Sequence, residues 1–268
     1  MSILAMHTAT TGLEALSTEI DVIANNLANV NTYGFKKVRA NFEDLLYLEQ
    51  SSGGQNSLGV PKPVGTSIGL GTRISNTQRI FTPGSLITTG KATDMAIQGD
   101  GLFRVQTPPD MGGGYAYTRA GNFSINQNGE FVLANSDGYR LDPPVTLPAN
   151  AIPSSLTIGS DGTVRTLVSG NTVPQLVGQI MLFRFPNASG LAAEGKNLFI
   201  GTDASGEAVE GAPGTEGLGD ICSASLESSN VEAVNELVSM MKAQRAFELN
   251  SQVITTGNEM LQTITRIR

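Results

Sequence analysis

The sequence predicts an α+β protein in which paired long N- and C-terminal helices, coiled-coil-like, enclose a nested, mostly antiparallel β-rich central region. Three observations carry this. Met1 to Gly34 repeats apolar side chains in steps of three and four, a second stretch from Ser229 to the C-terminus does much the same, and the sequence between them alternates short apolar runs with turn residues. With 31 Gly and 12 Pro in 268 residues, that middle holds many turns and short strands rather than further long helices.

In the first helix the seam runs through Met6, Ala9, Leu13, Leu16, Ile20, Ile23, Leu27 and Val30. The opposite face is unusual. Met1 to Phe35 contains no Lys or Arg, its only acids are Glu14, Glu19 and Asp21, and small or neutral side chains such as Ala5, Ala15, Ser17, Ala24 and Asn25 fill the rest. A helix facing water ordinarily carries interspersed charges, so this one is built to be surrounded. Periodicity alone equally fits one helix in the core of an ordinary domain. The helix starts near Ser2, or later if Thr11 to Glu14 acts as a capping box, and Asn29, Asn31 and Gly34 end it.

Lys36 to Leu48 brings the first basic side chains. From Glu49 to Gly71 the composition shifts to Ser, Gly, Gln, Asn and Pro, which alone reads as a flexible loop or linker. Strands follow at Arg73–Ile80, Ser85–Thr89, Met95–Gln98, Leu102–Gln106, Tyr115–Arg119, Phe123–Ile125 and Phe131–Leu133. Asn128-Gly129 and Asp161-Gly162 sit in matching Ile-x-x-Asn/Asp-Gly-x-Phe/Val contexts and predict two tight hairpins. Leu176–Phe185 predicts one further strand and Leu198–Ile200 another. The last segment opens on a second capping box, Ser229 to Glu232. It carries Val231, Val234, Val238 and Met241 in three-four spacing, then an apolar stripe of Phe247, Ile254, Leu261 and Ile264. Helices at opposite ends pair most simply with each other, which makes the domains discontinuous.

Composition excludes several classes. A net charge of −7 with no basic cluster argues against nucleic acid. Cys222 is the single cysteine, so no intramolecular disulfide forms. No run approaches a membrane span, and the N-terminus lacks the basic and apolar regions of a cleaved signal peptide.

Asn25-Asn26-Leu27-Ala28-Asn29-Val30-Asn31-Thr32-Tyr33-Gly34-Phe35-Lys36 resembles the N-terminal signature of the bacterial flagellar axial proteins of the rod and hook. Leu226-Glu227-Ser228-Ser229-Asn230-Val231 and Ala243-Gln244-Arg245-Ala246-Phe247-Glu248-Leu249-Asn250-Ser251 resemble the C-terminal counterpart, and Asp94 to Phe103 the entry to the β domain. Phe42 to Tyr47, the polar extension and Gly69 to Arg73 are most similar to the rod members, distal rod ahead of proximal rod or hook. The resemblance implies a self-assembling structural subunit with no catalytic residues, cofactor or metal. It implies a straight tubular drive shaft that transmits torque to the hook and encloses the export channel, with inner layers built from the terminal helices. Implied partners are copies of itself, proximal rod proteins, the hook protein or its junction, the surrounding ring proteins and the flagellar export apparatus, with no direct membrane insertion. The implied location is the basal body, spanning the periplasm, reached without a cleaved signal. The matching division is a helical assembly domain at 1–34 and 229–268, a connecting β/extended domain at 35–92 and 187–228 with the extension at about 49–71, and an outer β domain at 93–186.

The chemical alternatives are weaker. Gly99-Asp100-Gly101 begins like a nucleotide loop, but Arg104 replaces the third Gly and a strand follows. His7 is the only histidine, so a multi-histidine metal cluster is excluded. Asp94, Asp100 and Asp110 are turn residues rather than a calcium loop. The remaining rival is a secreted binding or enzyme module on a helical stalk.

Overall fold

The structure is a computed structural model that describes residues 2–51, 54–55, 61–62, 65–151, 155–170, 173–215 and 217–267. It contains an N-terminal helix, a C-terminal helix and an antiparallel β-rich region between them. Two compact units divide the chain. A helical unit takes residues 1–28, 38–79 and 232–268, and a β unit takes 29–37 and 80–231.

In the helical unit α1 (Ser2–Ala28) and α2 (Ala233–Ile267) are both unbroken. Thr11 does not start a helix: its hydroxyl donates back to the Thr8 carbonyl at 2.9 Å, inside the turn. Val38–Asp44 pairs antiparallel with Thr72–Arg79, with a register shift between Asn41 and Phe42. Gly71 holds a left-handed φ of +118° where α1 comes close, since a Cβ there would lie 2.1 Å from Thr11 Oγ1.

The segment read from composition as a flexible loop, Glu49 to Gly71, continues this hairpin instead. Tyr47–Ser51 pairs with Thr66–Gly69, and Gly54–Gln55 with Pro61–Lys62; residues 52–53, 56–60 and 63–64 lie outside the described residues. Backbone pairing extended from an existing hairpin needs no apolar content of its own, which composition cannot register.

The β unit centres on a seven-stranded antiparallel sheet in the order Phe123–Ile125, Phe131–Leu133, Arg140–Asp142, Phe103–Gln106, Tyr115–Thr118, Leu198–Ile200, Ala192–Gly195. Phe103, Phe123, Phe131, Leu133, Leu141, Ile180 and Leu198 are buried in its core, and Phe103 meets Phe123 edge to face at 5.4 Å. Both Gly-centred hairpins form, with Gly129 and Gly162 each at φ +80°. Leu176–Phe185 is two strands rather than one. Gln175–Gln179 pairs with Thr163–Thr166, whereas Leu182–Arg184 pairs with Val209–Gly211, the chain changing partners at buried Ile180. A continuous apolar run does not reveal where its partner changes. Near the C-terminus Ser229 does not cap α2: its Oγ accepts from the Val231 N–H at 3.3 Å, and α2 begins at Ala233.

Candidate assembly interface

Three contacts fix how the terminal helices meet. Asn26 Nδ2 donates to Glu236 Oε2 at 3.2 Å, a Cβ on Gly12 would lie 3.0 Å from Asn250 Nδ2, and one on Gly257 would lie 3.0 Å from Met6 Cγ. Asn26 to Gly12 and Glu236 to Asn250 are equal steps of fourteen residues in opposite senses. The helices are therefore antiparallel and stay in step over two heptads. Glycine and amide side chains at the crossing points let the backbones approach closely.

The residues singled out in the sequence divide between two environments. Ile23 is buried, and Leu13, Leu16, Ile20 and Leu27 are half-buried on α1; Ile254 and Leu261 are half-buried on α2, beside fully buried Ala243. Val231 is buried, but in the β unit. Val234, Val238, Met241, Phe247 and Ile264 are exposed, Val234 by 68% and Ile264 by 62%. Leu237, Leu249, Val253 and Met260 are exposed as well, so α2 presents apolar side chains to solvent along most of its length. Of the motif residues, Asn26, Gly34 and Phe35 are buried, Asn29 is half-buried, and Asn25, Ala28, Gln244 and Arg245 are exposed. On α1 the exposed face consists of Ala, Thr, Ser, Asn and His7, with charge only at Glu14 and Asp21.

Asn26 makes three hydrogen bonds within the helical unit. Its Nδ2 donates to the Val38 carbonyl at 2.8 Å as well as to Glu236, and its Oδ1 accepts from the Val38 N–H at 2.9 Å. One amide thus ties the end of α1 to the following strand and to the start of α2.

Within the β unit the two connecting segments are clasped together. Glu227 is the centre. Its Oε1 accepts from Lys36 Nζ at 2.6 Å and from the Gly84 N–H at 2.8 Å, and its Oε2 accepts from Arg119 Nε. Arg119 also donates three N–H groups to the carbonyls of Ile97, Gly99 and Gly101, and Lys36 also donates to the Thr82 carbonyl. The three charged side chains are 0%, 1% and 3% exposed for Lys36, Glu227 and Arg119. Burial pushes the Lys36 ammonium pKa down, with Glu227 opposing it. Beside this cluster the Gly34 N–H donates to the Glu227 carbonyl at 2.9 Å, and Asn230 Oδ1 accepts from the Lys37 N–H at 2.7 Å. Gly34 holds φ +70° with no room for a side chain, because a Cβ would lie 2.6 Å from the Ala120 nitrogen.

Sequence reading missed this cluster. Its only signal is solitary charge: Glu227 is the one ionisable group apart from Cys222 between Asp220 and Glu232, and Arg119 the one charge between Asp110 and Glu130. That these charges meet across 191 and 108 residues is a property of the fold.

Two cavities are notable. One of about 510 Å³ in the β unit is lined by Phe81, Asp100, Arg119, Phe183, Phe185 and Val209. The other, about 440 Å³, is an apolar groove on the helical unit formed by Ala5, Met6, Leu249, Val253, Gly257 and Met260. Among the described residues no three His, Cys, Asp or Glu side chains gather to hold a metal, and no helix is long and apolar enough to cross a membrane.

Comparison with known proteins matches three parts of the chain. Residues 6–36 match the flagella basal body rod protein family, 96–166 the flagellar hook protein FlgE/F/G D1 domain, and 223–267 the flagellar basal body rod FlgEFG protein C-terminal family. The flagellar basal-body rod protein FlgG of Borreliella burgdorferi is 44% identical over 261 residues, 96% of each chain. That of Caulobacter vibrioides is 43% identical over 98% of this chain and 99% of its own. The flagellar hook protein FlgE of Escherichia coli is similar at 24% identity across 99% of this chain and all of its own length.

Proposed function

Because the chain belongs to the flagellar basal-body rod protein family, we propose that it builds the distal segment of the rod, a straight tubular drive shaft that carries torque to the hook and encloses the export channel. It is a structural subunit of the basal-body rod, not an enzyme. The observation that carries the reading is the antiparallel pair of α1 and α2. Two helices zipped by a seam through Ile23, Asn26, Glu236 and Ala243 still leave apolar Val234, Val238, Met241 and Met260 on one side and a nearly uncharged α1 face on the other. Both surfaces suit burial against further copies, as a coiled-coil-like inner layer of a helical polymer requires. Different patches meeting head to tail generate an open helical filament when the rotation between copies does not close into a ring.

In this reading the helical assembly domain of 1–34 and 229–268 forms the inner layer, 35–92 with 187–228 connects, and 93–186 lies outside. Copies of the chain are the first partners. Proximal rod proteins below, the hook or its junction above and the surrounding rings complete the set, in a shaft that crosses the periplasm. Delivery is through the flagellar export apparatus.

The ribbon of Tyr47–Ser51 and Thr66–Gly69 supports the straight form. Tyr47 and Leu48 in it, and Leu46 just before it, are exposed by 58%, 50% and 82%, which suits contact with a neighbouring subunit. Deleting Glu49 to Ile68 is the test. The expected product is a polymer of greater flexibility in electron micrographs, and unchanged stiffness would count against the proposal.

A further inference from the structure

The geometry points to a latch that favours pairing of the terminal helices: the Lys36–Glu227–Arg119 cluster and the adjoining Asn230 clasp join the two connecting segments inside the β unit and so raise the effective concentration of α1 for α2. The clasp is contained within one unit. Gly34, Lys36 and Lys37 on the first segment meet Glu227 and Asn230 on the second through a buried ion pair and two backbone-directed hydrogen bonds. Arg119 anchors the same carboxylate to the loop from Ile97 to Gly101, and Asn230 Nδ2 donates to the Ile80 carbonyl at 2.9 Å. The latch therefore closes as part of the β fold and requires no helix.

Its consequence follows from chain connectivity. Asn26 and Glu236 are 210 residues apart, and in a chain without the β unit their meeting closes a loop of that length. With Gly34 held on Glu227, Asn26 is eight positions along the chain from the clasp on one side and Glu236 nine positions from it on the other. Loop-closure entropy grows as three halves of the logarithm of length, so holding the two segments together raises the effective concentration of one helix for the other by up to about 40-fold over a chain in which they are apart. A buried three-charge cluster suits this role better than an apolar contact would. Half-made, it leaves a desolvated charge unmet, so the segments are either clasped in register or apart.

The test uses the dilute full-length chain carrying Gly12→Cys and Asn250→Cys in a Cys222→Ser background. In glutathione redox buffers the fraction of disulfide gives the effective concentration of α1 for α2, independently of whether the chain polymerises. Hydrogen exchange at Phe103, Phe131 and Leu182 reports the β unit. Adding Glu227→Gln with Asn230→Ala is expected to lower the effective concentration severalfold, with about 40-fold as the limit reached when the two segments separate entirely, and Asn230→Ala alone is expected to lower it by less, with β-unit protection retained. If the double variant unfolds the β unit, Asn230→Ala alone decides. An effective concentration within twofold of the parent in the double variant with its β unit folded, or in the Asn230→Ala chain where the double variant unfolds, would overturn the latch.

Discussion

Asn26 and Glu236 are both buried and meet side chain to side chain at 3.2 Å across 210 residues of sequence. The same asparagine exchanges two hydrogen bonds with the Val38 backbone, so it closes the corner where α1 ends, a strand begins and α2 starts. A neutral amide does this without the desolvation cost of a second charge beside the Glu236 carboxylate.

Asn26→Ala removes all three bonds and leaves the Val38 N–H and carbonyl without their partner. The expected loss is about 2–3 kcal/mol from the helix pair. Urea unfolding followed by circular dichroism at the helical wavelength measures it, since the helices are confined to this unit. A loss below about 0.5 kcal/mol, the scale of an ordinary surface change, would show that the corner is not held by Asn26.

Gly34→Ala tests the close backbone approach near the end of the N-terminal motif, inside the β unit. The new Cβ would sit 2.6 Å from the Ala120 nitrogen and 2.7 Å from the Arg119 carbonyl carbon, on a residue at φ +70°. Left-handed backbone alone costs a residue with a side chain about 1–2 kcal/mol, and the neighbours are backbone atoms that do not rotate away. Thermal unfolding of the β unit should show a loss of more than about 2 kcal/mol.

Lys36 gives a pH dependence of unusual sign. Burial lowers its pKa from 10.5, so between the lowered value and 10.5 the unfolded chain keeps a proton that the folded chain has released. The contribution of this group to stability therefore rises with pH across that window and is least below it. Subtracting the urea midpoint of Lys36→Met from that of the parent isolates the effect from tyrosines that titrate nearby. The difference should grow from neutral pH toward 10.5; a difference that falls would contradict the assignment.

The outward apolar residues of α2 can be separated from those that hold the fold. Val238→Asp with Met241→Lys alters exposed positions, so the stability of the monomer should stay within about 0.5 kcal/mol. Sedimentation at high concentration should nonetheless show polymerisation abolished, because each copy would present two charges to a neighbour's apolar surface.

Periodicity was enough to locate both helices and most strands of the central sheet, because Leu16, Ile20 and Ile23, or Phe131 and Leu133, report burial through spacing alone. It did not register that Leu176–Phe185 changes partner midway, since every residue of a buried run is apolar whichever strand it meets. Nor did composition show that the polar extension pairs as a ribbon, where backbone groups supply the bonds. For the interface, the sequence displayed the helix faces but not the seam alignment set by Gly12, Asn250 and Gly257, which are small or polar and fall outside an apolar pattern. The Glu227 cluster was invisible for the opposite reason, its partners being distant in sequence and brought together only by the sheet.

The most direct test of the central claim, that paired terminal helices make this chain a rod-building subunit, is electron microscopy of the concentrated full-length protein. Straight hollow tubes of uniform diameter, absent when residues 231–268 are removed, are the expected result. Protein that stays dispersed, or that forms closed rings or the same tubes without α2, would contradict it.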